Sequence, residues 1–159
     1  MNKFILLGEK IIVGTGKKIL LIFLALCFSM CKTPLVNFDD SEETNFNPKN
    51  SVLKEFEATE SKYSLFIFTS GFEGEEVSIT NCNNVIYEGP LKTYEIQPFA
   101  KIVRVVNLCD TKFEDINNRI SFNIKSEYLI KYKFVCIHRD YYKNKRYVIT
   151  YSNKMKRIL

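Results

Sequence analysis

Apolar and polar residues alternate along much of the chain beyond residue 60, and a period of two is typical of β-strands with one buried face. Ile120, Phe122 and Ile124 alternate with polar residues in this way. Leu65–Phe68 is apolar at every position, which favours a central strand covered on both faces. Further strands are predicted at Val77–Ile79, Val85–Tyr87, Leu91–Gln97, Ile102–Val106, Glu127–Arg139 and Arg146–Ser152.

Turn-forming residues separate these strands about every 8–12 residues, as in a sandwich or, as the alternative, a small barrel. Asn81–Asn84 suits a left-handed turn, and Gly89-Pro90 should end one strand. Asn107–Asn118 is predicted as a polar loop or one helical turn, and Asn50–Glu60 fits either an edge strand or a short helix. The pattern predicts an all-β domain over residues 51–159, an antiparallel β-sandwich of about seven to eight strands, immunoglobulin/transthyretin-like in type.

The first 31 residues have a different pattern, a basic segment followed by a short apolar run. Met1–Lys18 carries several lysines and a single acidic residue, and residues 19–31 read ILLIFLALCFSMC. A transmembrane helix needs about 20 apolar residues, and lysines bound this run before that length is reached. The pattern therefore predicts an export signal over residues 1–31, with an uncleaved signal anchor as the alternative.

The end of the apolar run, Phe28-Ser29-Met30-Cys31, resembles a bacterial lipobox, in which the last cysteine becomes lipidated. It departs from that pattern at Met30, where Gly, Ala or Ser is usual, and at Phe28, where Leu is usual. The resemblance implies lipidation at Cys31, and ordinary signal cleavage after Cys27 or near Cys31 is the alternative. Residues 32–50 are polar, acidic and rich in Pro and Asn, which predicts a flexible tether.

Three cysteines remain for the domain, Cys82, Cys109 and Cys136. Cys136 alternates within a predicted strand and is assigned to the core, so Cys82 and Cys109 are the favoured disulfide pair in an oxidising compartment. The cysteines are not at the C-x-x-C spacing of metal sites, and the chain has a single histidine, His138. No metal site and no cofactor are predicted.

Charge is distributed unevenly between the two halves of the chain. Acidic residues outnumber basic ones over residues 41–100, and basic residues outnumber acidic ones over residues 101–159. The two halves of a sandwich can neutralise each other across its sheets, which is one interpretation. The other is a basic face for an anionic partner such as lipid headgroups, acidic glycans or an acidic protein.

The residues that could carry chemistry are few. Ser/His/Asp or Cys/His catalysis needs a histidine held by a third group, and His138 is expected to be solvated at a strand end. Glu73, Glu75 and Glu76 lie near turns, where solvated acids are expected. An enzyme is therefore not predicted, and tyrosines beside basic residues favour binding instead. The candidate binding residues are Tyr141, Tyr142, Lys143, Lys145 and Arg146.

In its signal, tether and strand spacing the chain resembles the small exported β-sandwich lipoproteins of bacterial envelopes. This resemblance implies a non-enzymatic envelope or secreted protein that binds a protein or glycan partner, or plays a structural role, without nucleic acid. An inhibitor or immunity-type protein that blocks a partner enzyme with a strand edge or loop is the alternative, through Asn107–Asn118 or Tyr141–Lys145. An enzyme would instead require acidic residues converging in a deep pocket near Glu73–Glu76.

Overall fold

The computed structural model describes residues 33–40, 49–97, 99–140 and 146–155. Within these ranges the chain forms strands and two short helices. In chain order they are β1 (Leu35–Asp39), α1 (Lys49–Glu55), β2 (Tyr63–Phe68), β3 (Glu73–Asn81), β4 (Asn84–Lys92), β5 (Lys101–Val106), β6 (Thr111–Asp115), β7 (Ile120–Ile124), α2 (Ser126–Leu129), β8 (Phe134–Asp140) and β9 (Arg146–Ser152).

The strands form two sheets, one of five strands in the order β1-β9-β8-β2-β5 and one of four strands in the order β4-β3-β6-β7. This confirms the predicted all-β, two-sheet sandwich. The predicted purely antiparallel pairing is wrong, because β1 pairs with β9 and β2 pairs with β8 in parallel. The described strands also exceed the predicted number, since β1 and β6 arise from segments assigned to a tether and a loop.

Aromatic side chains from both sheets fill the space between them. Phe113 on the four-stranded sheet packs 5.8 Å from Phe68 and 5.1 Å from Tyr147 on the five-stranded sheet, measured between ring centroids. Phe122 lies 4.8 Å from Phe113 within its own sheet. Such ring pairs add about 0.5–1.5 kcal/mol to the stabilisation from burial alone, so these contacts hold the two sheets together.

The outer face of the five-stranded sheet is also covered. Leu53 on α1 and Ala58 after it pack with Ile67, Ile102 and Phe134 in a second apolar cluster. The ambiguous segment Asn50–Glu60 therefore begins as a helix, not an edge strand. A sheet covered on both faces explains why β2 is apolar at consecutive positions, and the prediction of a central strand there is confirmed.

Strand β1 lies within the segment predicted to be a flexible tether. It pairs with β9 along its whole length, from Leu35 opposite Val148 to Asp39 opposite Ser152. The Phe38 ring stacks on the Tyr151 ring at a centroid distance of 5.3 Å. The prediction of a tether over residues 32–50 is therefore wrong for β1, because the edge of β9 supplies its main-chain partners.

The segment predicted as the longest strand, Glu127–Arg139, is a strand only from β8 onward. The preceding residues form α2 and a turn, and side chains from elsewhere hold this turn by bonding its backbone. Asp110 accepts a hydrogen bond from the Ser126 amide at 2.9 Å, and the Ser64 hydroxyl donates to the Leu129 and Tyr132 carbonyls at 3.0 and 2.9 Å. These partners are distant in sequence, so the local alternation of apolar residues was misleading.

Two further boundaries differ from the prediction. Asn107–Asn118 is not one continuous loop, because β6 within it pairs with both β3 and β7. Strand β4 continues through Gly89-Pro90 and ends at Lys92, so the separate strand predicted at Leu91–Gln97 is wrong. Proline is tolerated there because β4 is an edge strand, and Gly89 takes a φ of +143°, which other residues rarely adopt.

One end of the sandwich, which we call the disulfide end, carries the turn between β3 and β4 and the β5–β6 connection. Cys82 and Cys109 are joined there by a disulfide, the pair favoured by the sequence analysis. Cys82 and Asn83 both have positive φ, as a two-residue hairpin turn requires, and this confirms the predicted left-handed turn. The Asn81 side-chain amide donates to the Val106 carbonyl at 3.1 Å and ties the two segments further.

Candidate functional site

The opposite end of the sandwich gathers several connections, and we call it the Arg146 end. In the register of the five-stranded sheet, Asp140 at the end of β8 lies opposite Arg146 at the start of β9. Leu35 at the start of β1 lies beside them, opposite Val148. The described segments of this end are residues 69–72, 93–97, 99–100 and 116–119, together with Asp140 and Arg146.

A buried ion pair lies in the interior of this end. The Arg139 guanidinium contacts the Glu75 carboxylate, and the two side chains are only 2% and 6% exposed. The second Glu75 carboxylate oxygen accepts a hydrogen bond from the Glu73 amide at 2.8 Å. The prediction that Glu75 is solvated is wrong, because β3 directs this side chain inward in the same register as Val77 and Ile79.

The Arg139 guanidinium also lies over an aromatic ring. Its Cζ atom is 5.9 Å from the centroid of the Tyr147 ring. Its Nε has no hydrogen-bond partner within the described part of the chain. Gly71 lies against the backbone of this arginine, and a Cβ there would collide with the Arg139 carbonyl oxygen. The strand end is therefore packed from several sides around the buried Arg139–Glu75 ion pair.

A second buried polar group adjoins the first. The Tyr147 hydroxyl donates to Asp115 Oδ2 at 2.7 Å, and Asp115 also accepts hydrogen bonds from the backbone and side-chain amides of Asn118. Burial and the hydrogen bond to Asp115 raise the pKa of Tyr147 above its ordinary value. Burial likewise raises the pKa of Tyr151. These tyrosines are therefore held neutral within the sandwich.

Two shallow cavities open at the Arg146 end. One has a volume of about 220 Å³ and is lined by Glu73, Gly74, Glu75, Asn117, Asn118 and Arg139. The other has a volume of about 370 Å³ and lies beside β6 and β7, between Ser78 and Arg119. In the first, the buried Arg139 and Glu75 bond to each other, so their charges are engaged in the structure. The recess offers polar contacts to a small group and does not present a deep acidic pocket.

The surface of this end is both apolar and charged. Ile96 is 95% exposed, Ile116 is 55% exposed and Tyr94 is 51% exposed. Lys92 lies over the Tyr94 ring, 5.4 Å from its centroid, and Arg146 is exposed at the start of β9. These side chains are exposed at the Arg146 end, whereas Arg139, Glu75 and Tyr147 are buried.

The sequence-predicted site residues fall in different places. Arg146 is exposed at the end to which it gives its name, whereas Cys82 and Cys109 lie at the disulfide end. The lipidation candidate Cys31 lies outside the described residues, as do Tyr141, Tyr142, Lys143 and Lys145. The binding role predicted for these residues stays a prediction, and of the candidate binding residues only Arg146 can be placed, at the end opposite the disulfide.

The sequence analysis missed the inward-facing charges. Glu75, Asp115 and Arg139 each continue the period-two alternation of an apolar strand face, next to Val77, Phe113 and Ile137. This continued alternation was the signal in the sequence that could have identified the three residues as buried. His138 was also misjudged: it is half-buried on β8, and burial lowers its pKa below the ordinary value.

No protein family, curated protein or solved structure matches this chain. Among the described residues, no helix combines the length and the apolar character needed to cross a bilayer. The same part of the chain holds no group of three or more His, Cys, Asp or Glu residues arranged to hold a metal ion.

The two buried tyrosines predict a loss of stability in alkali. Below pH of about 10 a tyrosine is protonated in both the folded and unfolded states, but above it only the unfolded chain ionises freely. Because the pKa values of Tyr147 and Tyr151 are raised in the folded state, the free energy of unfolding should fall as the pH rises beyond that value.

The measurement is the urea midpoint as a function of pH, with tyrosine ionisation followed by ultraviolet absorbance. The Tyr147→Phe variant should show a shallower decline, because the phenylalanine cannot ionise in the unfolded state. Complete ionisation of all tyrosines near their ordinary pKa, in a protein that remains folded, would contradict the burial of these hydroxyls.

Proposed function

We propose that this chain is an exported, non-enzymatic protein of the cell envelope, with an immunoglobulin/transthyretin-like sandwich held at a membrane by lipid on Cys31. Its role is to bind a protein or glycan partner or to support envelope structure. The observation that carries the proposal is the Cys82–Cys109 disulfide, because structural disulfides persist mainly in oxidising compartments. It agrees with the export signal indicated by the first 31 residues.

The buried polar groups support a binding or structural role. Arg139 contacts Glu75, and Tyr147 donates to Asp115, so these groups bind one another inside the sandwich. Catalytic acids and bases must instead reach a substrate from a cleft. The cavities beside them are shallow, and this geometry is better suited to holding the connections of the Arg146 end in place than to proton transfer.

A second candidate is an inhibitor or immunity-type protein, and one observation favours it. Leu108 is 79% exposed on the connection that Cys109 ties to the β3–β4 turn, and Val85 beyond that turn is 57% exposed. A loop fixed by a disulfide loses little entropy when it binds, which suits insertion into the cleft of a partner. If the protein is such an inhibitor, the disulfide end is the surface that blocks the partner enzyme.

The proposal is tested by expressing the full chain in a bacterium and measuring its intact mass and detergent partitioning. Wild type and Cys27→Ala should both carry acyl chains and enter the detergent phase, whereas Cys31→Ala should not. Cys27→Ala is the matched control, since it removes a cysteine from the same apolar run. Equal partitioning and equal acyl mass for Cys31→Ala and wild type would refute lipid anchoring at Cys31.

A further inference from the structure

We propose that the Arg146 end is the surface that lies on the membrane, with its exposed apolar side chains in the lipid headgroup region. The inference rests on the proposed lipidation of Cys31 and adds the orientation of the sandwich. It commits to a phospholipid bilayer as the partner of this surface. The disulfide end is then directed away from the membrane.

The chain between the anchor and the sandwich is short. Four peptide steps lead from Cys31 to Leu35, so even a fully extended chain spans at most about 14 Å. Leu35 begins β1 beside Val148, at the Arg146 end. A lipid on Cys31 therefore brings this end close to the bilayer.

Strand β1 is fixed to the sandwich by side-chain contacts as well as by its pairing with β9. Phe38 on β1 packs against Tyr128, Tyr132 and Tyr151, with ring centroids 5.3 to 5.7 Å apart. The Tyr132 hydroxyl donates to Asp40 just beyond the strand at 2.8 Å. Because these contacts fix β1 to the sandwich, we expect the anchor to constrain the orientation of the domain as well as its location.

The Arg146 end exposes apolar, aromatic and basic side chains. Ile96 is almost fully exposed, and Tyr94 beside it presents an aromatic ring with a polar tip, a combination found at membrane interfaces. Lys92 and Arg146 are exposed at the same end and can contact lipid phosphates. Glu95 is also exposed at this end, so net charge does not drive the contact with the bilayer. The exposed apolar side chains make that contact once the anchor is inserted.

The absence of tryptophan from the chain allows a direct test. The lipidated full chain is reconstituted into phosphatidylcholine/phosphatidylglycerol vesicles that contain brominated lipid, which quenches tryptophan fluorescence at close range. Ile96→Trp places the probe at the Arg146 end, and Leu108→Trp places it at the disulfide end, so the two variants are matched. Tyr94→Trp is the substitute at the Arg146 end if Ile96→Trp does not fold.

Interfacial side chains enter the bilayer to a depth of about 5–10 Å, so the probe at Ile96 should lose about half of its emission. The probe at Leu108 should be unchanged. Equal or stronger quenching at Leu108 overturns the orientation. If neither probe is quenched in protein that floats with the vesicles, the orientation fails and lipid anchoring stands. If the protein does not float and resembles Cys31→Ala, both proposals fail.

Discussion

Replacement of Glu75 by leucine should lower the free energy of unfolding by about 3–5 kcal/mol, because it leaves a buried guanidinium without its counter-charge. Arg139 is 4% exposed, so the guanidinium is largely shielded from water in the folded protein. Glu75 also accepts a hydrogen bond from the Glu73 amide, which would lose its partner in the same variant. Equilibrium urea denaturation measures the effect.

The double variant Glu75→Leu/Arg139→Met distinguishes a broken charge pair from a lost packing contact. Once both charges are removed, an apolar pair of similar volume is often neutral or stabilising relative to the ion pair. We therefore expect the double variant to recover most of the loss caused by Glu75→Leu alone. A double variant that is as unstable as the sum of the two single variants would show that the charges are not coupled.

An exposed ion pair is the matched control. Lys112 and Glu114 are joined at 2.7 Å on β6, and their side chains are 50% and 39% exposed. Such pairs contribute about 0–1 kcal/mol, so Glu114→Gln should barely change the urea midpoint. A loss comparable to that of Glu75→Leu would mean that burial does not decide the strength of these pairs.

The sequence predicted a strand correctly where the pattern of apolar and polar residues matches the faces that its neighbours cover. Ile120, Phe122 and Ile124 direct alternate side chains inward on β7, and Leu65–Phe68 is apolar throughout because α1 covers the outer face. In both cases burial follows directly from residue type. The two-sheet, all-β architecture could therefore be predicted from periodicity together with the spacing of the turns.

The errors occur where distant parts of the chain decide the local structure. Strand β1 lies in a polar segment, and it forms because its backbone pairs with the edge of β9. Helix α2 interrupts an alternating segment because Asp110 and Ser64 bond its backbone. None of these three partners can be identified before the topology is known, so the pattern was interpreted as a tether in one case and as a strand in the other.

The candidate site was harder to predict than the fold for the same reason. Arg139 belongs to the inward face of β8, but a charged residue at the end of an apolar alternation is ordinarily assigned to solvent. Its burial makes sense only once Glu75 from β3 is known to lie beside it. The partners come from different sheets and are 64 positions apart, and the single sequence contains no signal that joins them.

Removal of the disulfide is the second large effect that we expect. Cys82 and Cys109 close a loop with a sequence separation of 27 residues. In the chain-entropy description, opening a loop of this length lowers the free energy of unfolding by about 3–4 kcal/mol. The variant is Cys82→Ala/Cys109→Ala, and its urea midpoint should fall well below that of wild type.

A reducing agent provides the control for this prediction. It should lower the urea midpoint of wild type to that of Cys82→Ala/Cys109→Ala and leave the variant unchanged, because the variant has no disulfide to reduce. The Asn81 side chain still bonds the Val106 carbonyl and amide, so the disulfide end should remain folded without the covalent link. A reductant-insensitive midpoint in wild type would contradict a stabilising disulfide and would remove the main support for export into an oxidising compartment.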